Sequence, residues 1–176
     1  MRKIYLLVLA LALFFSSCEK DDICDANMAT TPRLVIQFYD FANPSVLKNV
    51  TNLKVVGAGM TDGIIFNPTA ADESKYLTSG SKISIPLKTN DVTTSYTFTL
   101  NSGNSNPALV NVDDIKFDYT KNDIFVSRAC GFKTIFTLNP TNPYTHTIAA
   151  DKWIKYISVE KSNIENENET HIKIFF

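Results

Sequence analysis

Three cysteines, Cys18, Cys24 and Cys130, are the residues of this chain whose type and position point most directly to chemistry. A cysteine thiol can be acylated, oxidised to a disulfide, or used as a nucleophile or metal ligand. Cys18 ends an apolar segment, Cys24 follows within an acidic stretch, and Cys130 lies far along the chain. These different surroundings predict different roles for the three thiols.

The N-terminus has the layout of a secretory signal. Two basic residues, Arg2 and Lys3, precede a continuous apolar run over residues 4–15, and a short small-residue segment ends at Cys18. Twelve apolar residues span roughly 18 Å as a helix, which is well short of the roughly 30 Å hydrocarbon core. The pattern therefore predicts a signal peptide over residues 1–17 rather than a permanent spanning helix.

The end of this segment, Phe15-Ser16-Ser17-Cys18, resembles a bacterial lipobox, although an aliphatic residue is usual where Phe15 stands. In proteins with that motif the signal is removed before the cysteine, whose thiol and new amine are acylated. The resemblance implies that Cys18 is the lipidation site. Two or three acyl chains give stable anchoring, because each buried methylene contributes about 0.8 kcal/mol. The alternative is an ordinary secretory signal with an incidental cysteine.

Residues 18–32 are interpreted as a lipidated acidic tether. Within it, Lys20-Asp21-Asp22 resembles the short export signal of surface lipoproteins in the Bacteroidota. The alternative is a solvated spacer, since charged segments stay extended. We expect a lipid-anchored protein of the outer membrane, on the cell surface rather than on the periplasmic face.

If Cys18 is acylated, Cys24 and Cys130 remain. An even pair of cysteines in an exported chain most simply forms a disulfide. The loop that it closes is about 105 residues, for which chain-entropy arguments give roughly 4–5 kcal/mol. The alternative is a pair of buried free thiols.

The remaining candidates for catalysis are scattered. The two histidines, His146 and His171, have no metal-ligand spacing around them and are expected to be exposed or at the edge of the core. No G-x-S-x-G motif is present, so a histidine-based triad has few candidates. The glycine-rich stretch 57–63 lacks the dinucleotide spacing and is interpreted as a hairpin turn.

Four carboxylates could assemble a glycosidase-like acid pair or a calcium site: Asp113, Asp114, Asp118 and Asp123. No spacing favours one pair, and solvated strand ends explain all four.

Three aromatic residues and one cation complete the candidates. Tyr144, Trp153 and Tyr156 could stack on sugars or peptides, but Trp153 is expected to be a core anchor. Arg128 interrupts an apolar strand and is expected to pair with an acid or with carbonyls at a sheet edge. No metal, cofactor or catalytic residue is predicted.

The elements that must position these residues are strands. Apolar residues alternate with polar ones in many runs, which include "RLVIQFYD", "KISIPLK", "SYTFTLNS", "DIKFDY" and "HIKIFF". Turn residues separate the runs, and Thr120-Lys121-Asn122 is interpreted as one such turn. The pattern predicts an all-β domain over residues 33–176, an antiparallel β-sandwich or Greek-key barrel of eight to nine strands, with Pro86 at an edge strand.

Length and charge limit the partners. Removing residues 1–17 from the 176 leaves 159, enough for one domain. The chain has 17 basic and 18 acidic residues, and the removed segment holds two of the basic ones, so the mature chain has 15 against 18, a net charge of −3. Such a surface gives no electrostatic reason to bind nucleic acid or anionic lipid.

Several stretches together resemble a family of uncharacterised Bacteroidota lipoproteins, a domain of unknown function: "CEKDDIC", "TTPRLVIQFYD", "FVSRACGFKTIFTL" and the final "HIKIFF". The resemblance covers nearly the whole mature chain and is most specific around Cys24 and Cys130. It implies a lipid-anchored, all-β protein of the cell envelope and implies no activity.

The sequence thus favours a non-enzymatic binding or structural module, attached to the membrane by its lipid, with an envelope protein or a glycan as possible partner. Two alternatives stay open: a carbohydrate-active hydrolase with paired carboxylates in a cleft, and an accessory subunit of an outer-membrane complex with a large exposed apolar patch.

Overall fold

The computed structural model describes residues 23–24, 30–147, 149 and 151–176. Two short 3-10 helices lie at Glu73–Tyr76 and Pro107–Leu109. The described residues otherwise form eleven strands: β1 (Leu34–Tyr39), β2 (Leu53–Gly57), β3 (Leu77–Thr78), β4 (Lys82–Ile85), β5 (Thr93–Leu100), β6 (Asn111–Ser127), β7 (Gly131–Leu138), β8 (Tyr144–His146), β9 (Tyr156–Val159), β10 (Asn163–Ile164) and β11 (Ile172–Phe175).

These strands form two sheets, which confirms the predicted all-β sandwich class. The smaller sheet has the order β4-β1-β11-β9, and the larger has β10-β7-β6-β5-β2-β3, with β8 paired to β6. All pairs are antiparallel except β1 with β11, where Ile36 lies opposite Ile172 in a parallel register. The predicted number of strands, eight to nine, was smaller than the eleven observed, because β3 and β10 have only two residues each and give no periodic signal.

The core lies between the sheets and follows the period-two pattern. In β5, Tyr96 and Phe98 are buried while Thr97 between them is half-buried, as the pleat requires. In β6, Ile115, Phe117 and Tyr119 are buried in the same alternating way. Fully burying such a side chain stabilises the fold by about 1.5–3 kcal/mol. Since β4 lies at an edge of its sheet and Pro86 directly follows it, the edge-strand prediction is confirmed.

Strand β6 is much longer than the sequence suggested. It continues through Thr120 and Asn122, which pair with Thr137 and Ile135 of β7, so the predicted turn at residues 120–122 is wrong. The turn that joins β6 to β7 lies instead at residues 128–130. Residues 120–125 are exposed. Because a strand that is solvated on both faces can consist of polar residues, its composition resembles that of a turn.

The distal half of this hairpin, residues 120–135, is named the arm. The buried core stops at Tyr119 on β6 and at Phe136 on β7. Residues of the arm are therefore held by the β6–β7 ladder and not by packing between the two sheets.

The start of the described chain runs beside the arm. Cys24 is bonded to Cys130 in the turn of the arm, with their Cα atoms 4.9 Å apart, which confirms the predicted disulfide. The backbone N–H of Thr134 donates to Oγ1 of Thr31 at 3.0 Å. Cys18 lies outside the described residues. None of the described residues forms a helix long and apolar enough to cross a membrane.

Candidate functional site

A cavity of about 430 Å³ opens where the two sheets meet beside β4. This volume lies within the usual range of small-molecule sites, about 300–1,000 Å³. Segments from both sheets surround it. Its lining residues are Arg33, Gly57, Ala58, Met60, Asp62, Gly63, Ile64, Ile65, Pro86, Lys88, Thr94, Ser95 and Tyr96.

Tyr96 lines the cavity, and Tyr119 lies behind the lining, where it is hydrogen-bonded to Thr94 and Lys88. The hydroxyl of Tyr96 on β5 donates to the carbonyl of Pro86 after β4, and thereby joins the two sheets. Tyr119 Oη donates to the carbonyl of Lys88 at 2.9 Å and lies 2.7 Å from Thr94 Oγ1. Burial raises the pKa of both tyrosines, so both phenols stay protonated at physiological pH. The hydroxyls of Thr94 and Tyr96 in the lining are therefore uncharged and already have hydrogen-bond partners.

Three charged residues lie around this apolar cavity: Arg33, Asp62 and Lys88. Arg33 directly precedes β1, where its backbone N–H donates to Oε1 of Glu167 at 3.1 Å. Lys88 Nζ lies 4.0 Å from Asp91, an exposed pair that holds the ammonium only weakly. Two cations against one carboxylate give the lining a formal charge of +1.

The outer wall of the cavity is the turn after β2. Gly59 has a φ of +82°, and the N–H of Met60 donates to the carbonyl of Gly57 at 2.9 Å. The chain then returns antiparallel to β2, with Gly63 opposite Val56. The stretch 57–63 is therefore a hairpin turn, as predicted. It leaves Met60 and Ile65 exposed at the mouth of the cavity.

The predicted acidic residues do not come together. Asp113 is fully buried, whereas Asp114 is exposed and accepts a hydrogen bond from Thr97 Oγ1 at 2.6 Å. Asp118 pairs with Lys116 at 3.0 Å, and Asp123 in the arm accepts from Thr134 Oγ1 at 2.6 Å. Among the described residues, Asp62 is the one carboxylate that lines the cavity, so no acid pair is assembled there.

Asp113 is instead the centre of a buried polar cluster. Its carboxylate accepts the backbone N–H groups of Trp153 and Ile154, each at 2.9 Å, and lies 3.3 Å from Nε2 of His146. The ammonium of Lys152 lies 3.9 Å away. The cluster joins the segment before β9 to β6 and β8. It has no nucleophile among these contacts and is structural in its geometry.

The prediction that both histidines are exposed or at the edge of the core is wrong for His171, whereas His146 is half-buried in the short strand β8. The imidazole of His146 is buried against Asp113. His171 is fully buried, and its Nδ1 accepts the N–H of Val35 at 2.9 Å. Nε2 of His171 has no hydrogen-bond partner among the described residues. Burial lowers the pKa of His171, although Glu169 and Glu167 oppose this effect.

The other residues predicted to be candidates are dispersed over the fold. Trp153 is a core residue, as predicted, and its Nε1 donates to the carbonyl of Phe98 at 3.4 Å. Tyr156 is half-exposed and packs on Phe175 with ring centroids 5.6 Å apart. Tyr144 Oη donates to the carbonyl of Ile157 at 2.9 Å. Arg128 lies in the exposed turn of the arm rather than within a strand.

No group of three or more histidine, cysteine or acidic residues in the described part of the chain is arranged to hold a metal ion. The cavity itself was not anticipated. Its walls come from segments near residues 33, 60, 87 and 95, and no local motif indicates that they meet. The one signal available was the apolar turn after β2, where Met60, Ile64 and Ile65 are more apolar than a solvated loop requires.

The fold and the cavity define a class: a two-sheet β-sandwich with a ligand-sized apolar cavity between charged residues. The chain belongs to a family of unknown function (DUF6452), whose sequence profile matches residues 52–176. No curated protein sequence and no solved structure matches the chain.

Proposed function

We propose that the chain is a lipid-anchored lipoprotein of the bacterial cell envelope, whose sandwich is a non-enzymatic binding module. The binding site is the cavity beside β4, and its ligand is a small molecule with an apolar body and an anionic group. Cys18 carries the lipid, and residues 19–32 tether the domain to the outer membrane, at the surface of a cell of the Bacteroidota.

The observation that carries this proposal is the cavity. Its walls are mainly apolar, and the one phenol among its lining residues, that of Tyr96, is neutral and already hydrogen-bonded. The cations Arg33 and Lys88 outnumber Asp62, which favours an anionic group on the ligand. A hydrolase would need two carboxylates flanking the substrate, and the lining offers Asp62 alone among the described residues.

Two features support the anchor. The N-terminal pattern resembles a lipobox ending at Cys18, and the disulfide from Cys24 to Cys130 is typical of an exported protein.

Binding is tested with 1-anilinonaphthalene-8-sulfonate, a fluorescent probe with an apolar body and one sulfonate. We expect saturable enhancement of its emission, weakened by Met60→Ser and by Arg33→Gln. Leu109→Ser is the matched control, since Leu109 is also exposed but lies outside the cavity. Equal binding by all four proteins would remove the cavity from the proposal.

Anchoring is tested by metabolic labelling with an alkyne analogue of palmitate in a bacterial host. We expect the wild-type protein to take the label and to fractionate with the outer membrane. Cys18→Ala loses both properties, whereas Cys24→Ser keeps both because its thiol is not the acylated one. Labelling that persists in Cys18→Ala would refute Cys18 as the anchor.

A further inference from the structure

We propose that the tip of the arm is a membrane-docking surface, with Phe125 and Phe132 inserted into the interface of the leaflet that holds the acyl chains. This inference rests on the proposed lipidation of Cys18 and adds a second, reversible contact between the domain and the lipid. The partner surface is lipid, not another protein.

The apolar feature at the tip is a cross-strand aromatic pair. Phe125 and Phe132 lie opposite each other in the β6–β7 ladder, with ring centroids 5.5 Å apart. Their exposed fractions are 57% and 68%, although both lie on the face that is buried further along the same strands. Two neighbouring phenylalanines left in water far from the core indicate a surface that something apolar covers.

The disulfide limits which apolar surface can cover this aromatic pair. Six residue steps separate Cys18 from Cys24, so a fully extended chain between them spans at most roughly 20–22 Å. Cys24 is joined covalently to Cys130, which lies two residues from Phe132 in the turn of the arm. If Cys18 carries the acyl chains, the aromatic pair cannot move further from the membrane than this short reach allows.

The residues around the pair suit the interface of a bilayer. Two further apolar side chains are exposed near the pair in sequence: Ile23, next to the disulfide, and Ile124, next to Phe125. The arm, residues 120–135, contains Lys121, Arg128 and Lys133 against Asp123, which gives 3 − 1 = +2. The mature chain has a net charge of −3, so the arm is positively charged although the chain as a whole is negatively charged.

The charge alone does not carry the docking. Residues 19–22 hold three acids and one lysine, a net charge of −2, and they directly precede Ile23 and Cys24 in the sequence. These acids compete with lipid phosphates for the cations of the arm. The aromatic pair therefore supplies the attraction to the membrane, and its rings suit the boundary between headgroups and acyl chains.

The experiment uses the full-length acylated protein in phospholipid vesicles that contain a lipid spin-labelled near the headgroup. Phe125→Trp adds a reporter at the tip, and Phe132→Trp gives an independent second one. Leu109→Trp is the matched control: Leu109 is 51% exposed, close to the value for Phe125, but lies before the other end of β6. Fourteen residue steps of β6 separate Asn111, where the strand begins, from Phe125, which is roughly 45–50 Å of extended chain. The wild-type protein corrects for buried Trp153.

We expect the emission added by either tip variant to shift to the blue and to lose most of its intensity to the spin label. The emission added by Leu109→Trp stays unquenched. An intact disulfide by mass and an unchanged circular dichroism spectrum confirm that each variant is folded.

The outcomes distinguish failure of the docking proposal from failure of the lipid anchor at Cys18. If the acylated protein sediments with vesicles while the tip reporters stay red-shifted and unquenched, docking is refuted and the anchor stands. If the tip reporters are unquenched by lipid but shielded in intact envelopes, a protein partner covers the arm and docking is refuted. If wild-type protein does not sediment with vesicles at all, the lipid anchor fails and docking fails with it.

Discussion

The carboxylate of Asp113 lies 3.3 Å from Nε2 of His146, and both side chains are buried. The same carboxylate accepts the backbone N–H groups of Trp153 and Ile154. A buried ion or polar group that loses its partners costs free energy, whereas the satisfied cluster fixes the geometry of the segment before β9.

Asp113→Ala should therefore lower the free energy of unfolding by about 3 kcal/mol or more, since two N–H groups and an imidazole lose their acceptor. Asp114→Ala is the matched control, because Asp114 is adjacent but exposed. Urea unfolding monitored by circular dichroism measures both. Equal small losses for the two variants would show that the cluster does not hold this segment.

The position of Asp113 shows what the sequence pattern could have revealed. Asp113 is in phase with Ile115 and Phe117, and that phase alone places its side chain on the buried face of β6. Residue type alone predicts a solvated strand end for Asp113, because an aspartate is seldom fully buried. His146, its partner, comes from β8, and no local pattern predicts that β8 pairs with β6.

The alternation of apolar and polar residues predicted the strands that have one buried and one exposed face. It failed where both faces of a strand are exposed. In the arm, Lys121 and Asn122 are both exposed, so period two disappears and polar residues resemble a turn. The disulfide was predictable from the cysteine count and the predicted secretory signal, since it needed no geometry. The cavity was not, because it depends on how β4 lies against the turn after β2.

Reduction of the disulfide should lower stability without unfolding the sandwich. Cys24 and Cys130 are 106 residues apart, and neither belongs to the hydrophobic core. Chain-entropy arguments give a loss of about 4–5 kcal/mol for a loop of this length. Urea unfolding with and without a reductant measures the change, and Cys24→Ser/Cys130→Ser is the control in which the reductant has no effect. A wild-type midpoint that does not move would contradict the predicted contribution.

The turn of the arm requires a glycine at residue 131. Gly131 has a φ of +69°, and an added Cβ would meet no atom within 4 Å, so the cost of a side chain there is conformational. Gly131→Ala should destabilise the protein by about 1–2 kcal/mol. Gly80→Ala is the control, since Gly80 has no left-handed φ and room for a Cβ. Thermal unfolding compares the two variants, and a larger loss at Gly80 would contradict the assignment.

Stability should also fall in mildly acidic solution because of His171. Its Nδ1 accepts the N–H of Val35, and burial lowers its pKa below the ordinary 6.5, although Glu169 and Glu167 oppose the shift and Lys82 reinforces it. Below pH 6.5 His171 binds a proton in the unfolded chain more readily than in the folded chain. The free energy of unfolding therefore decreases as the pH falls. This group contributes at most about 1.4 kcal/mol per pH unit. Above pH 6.5 the contribution is complete and constant.

His171→Asn separates this titration from the acids of the rest of the chain. The amide oxygen of asparagine can still accept from Val35 but does not titrate, so the variant should lose part of the decrease between pH 7 and pH 5 while it remains folded. Urea unfolding at a series of pH values measures the slope for both proteins. Parallel slopes would mean that His171 takes up its proton equally in the folded and unfolded chains, and that its burial does not control the pH response.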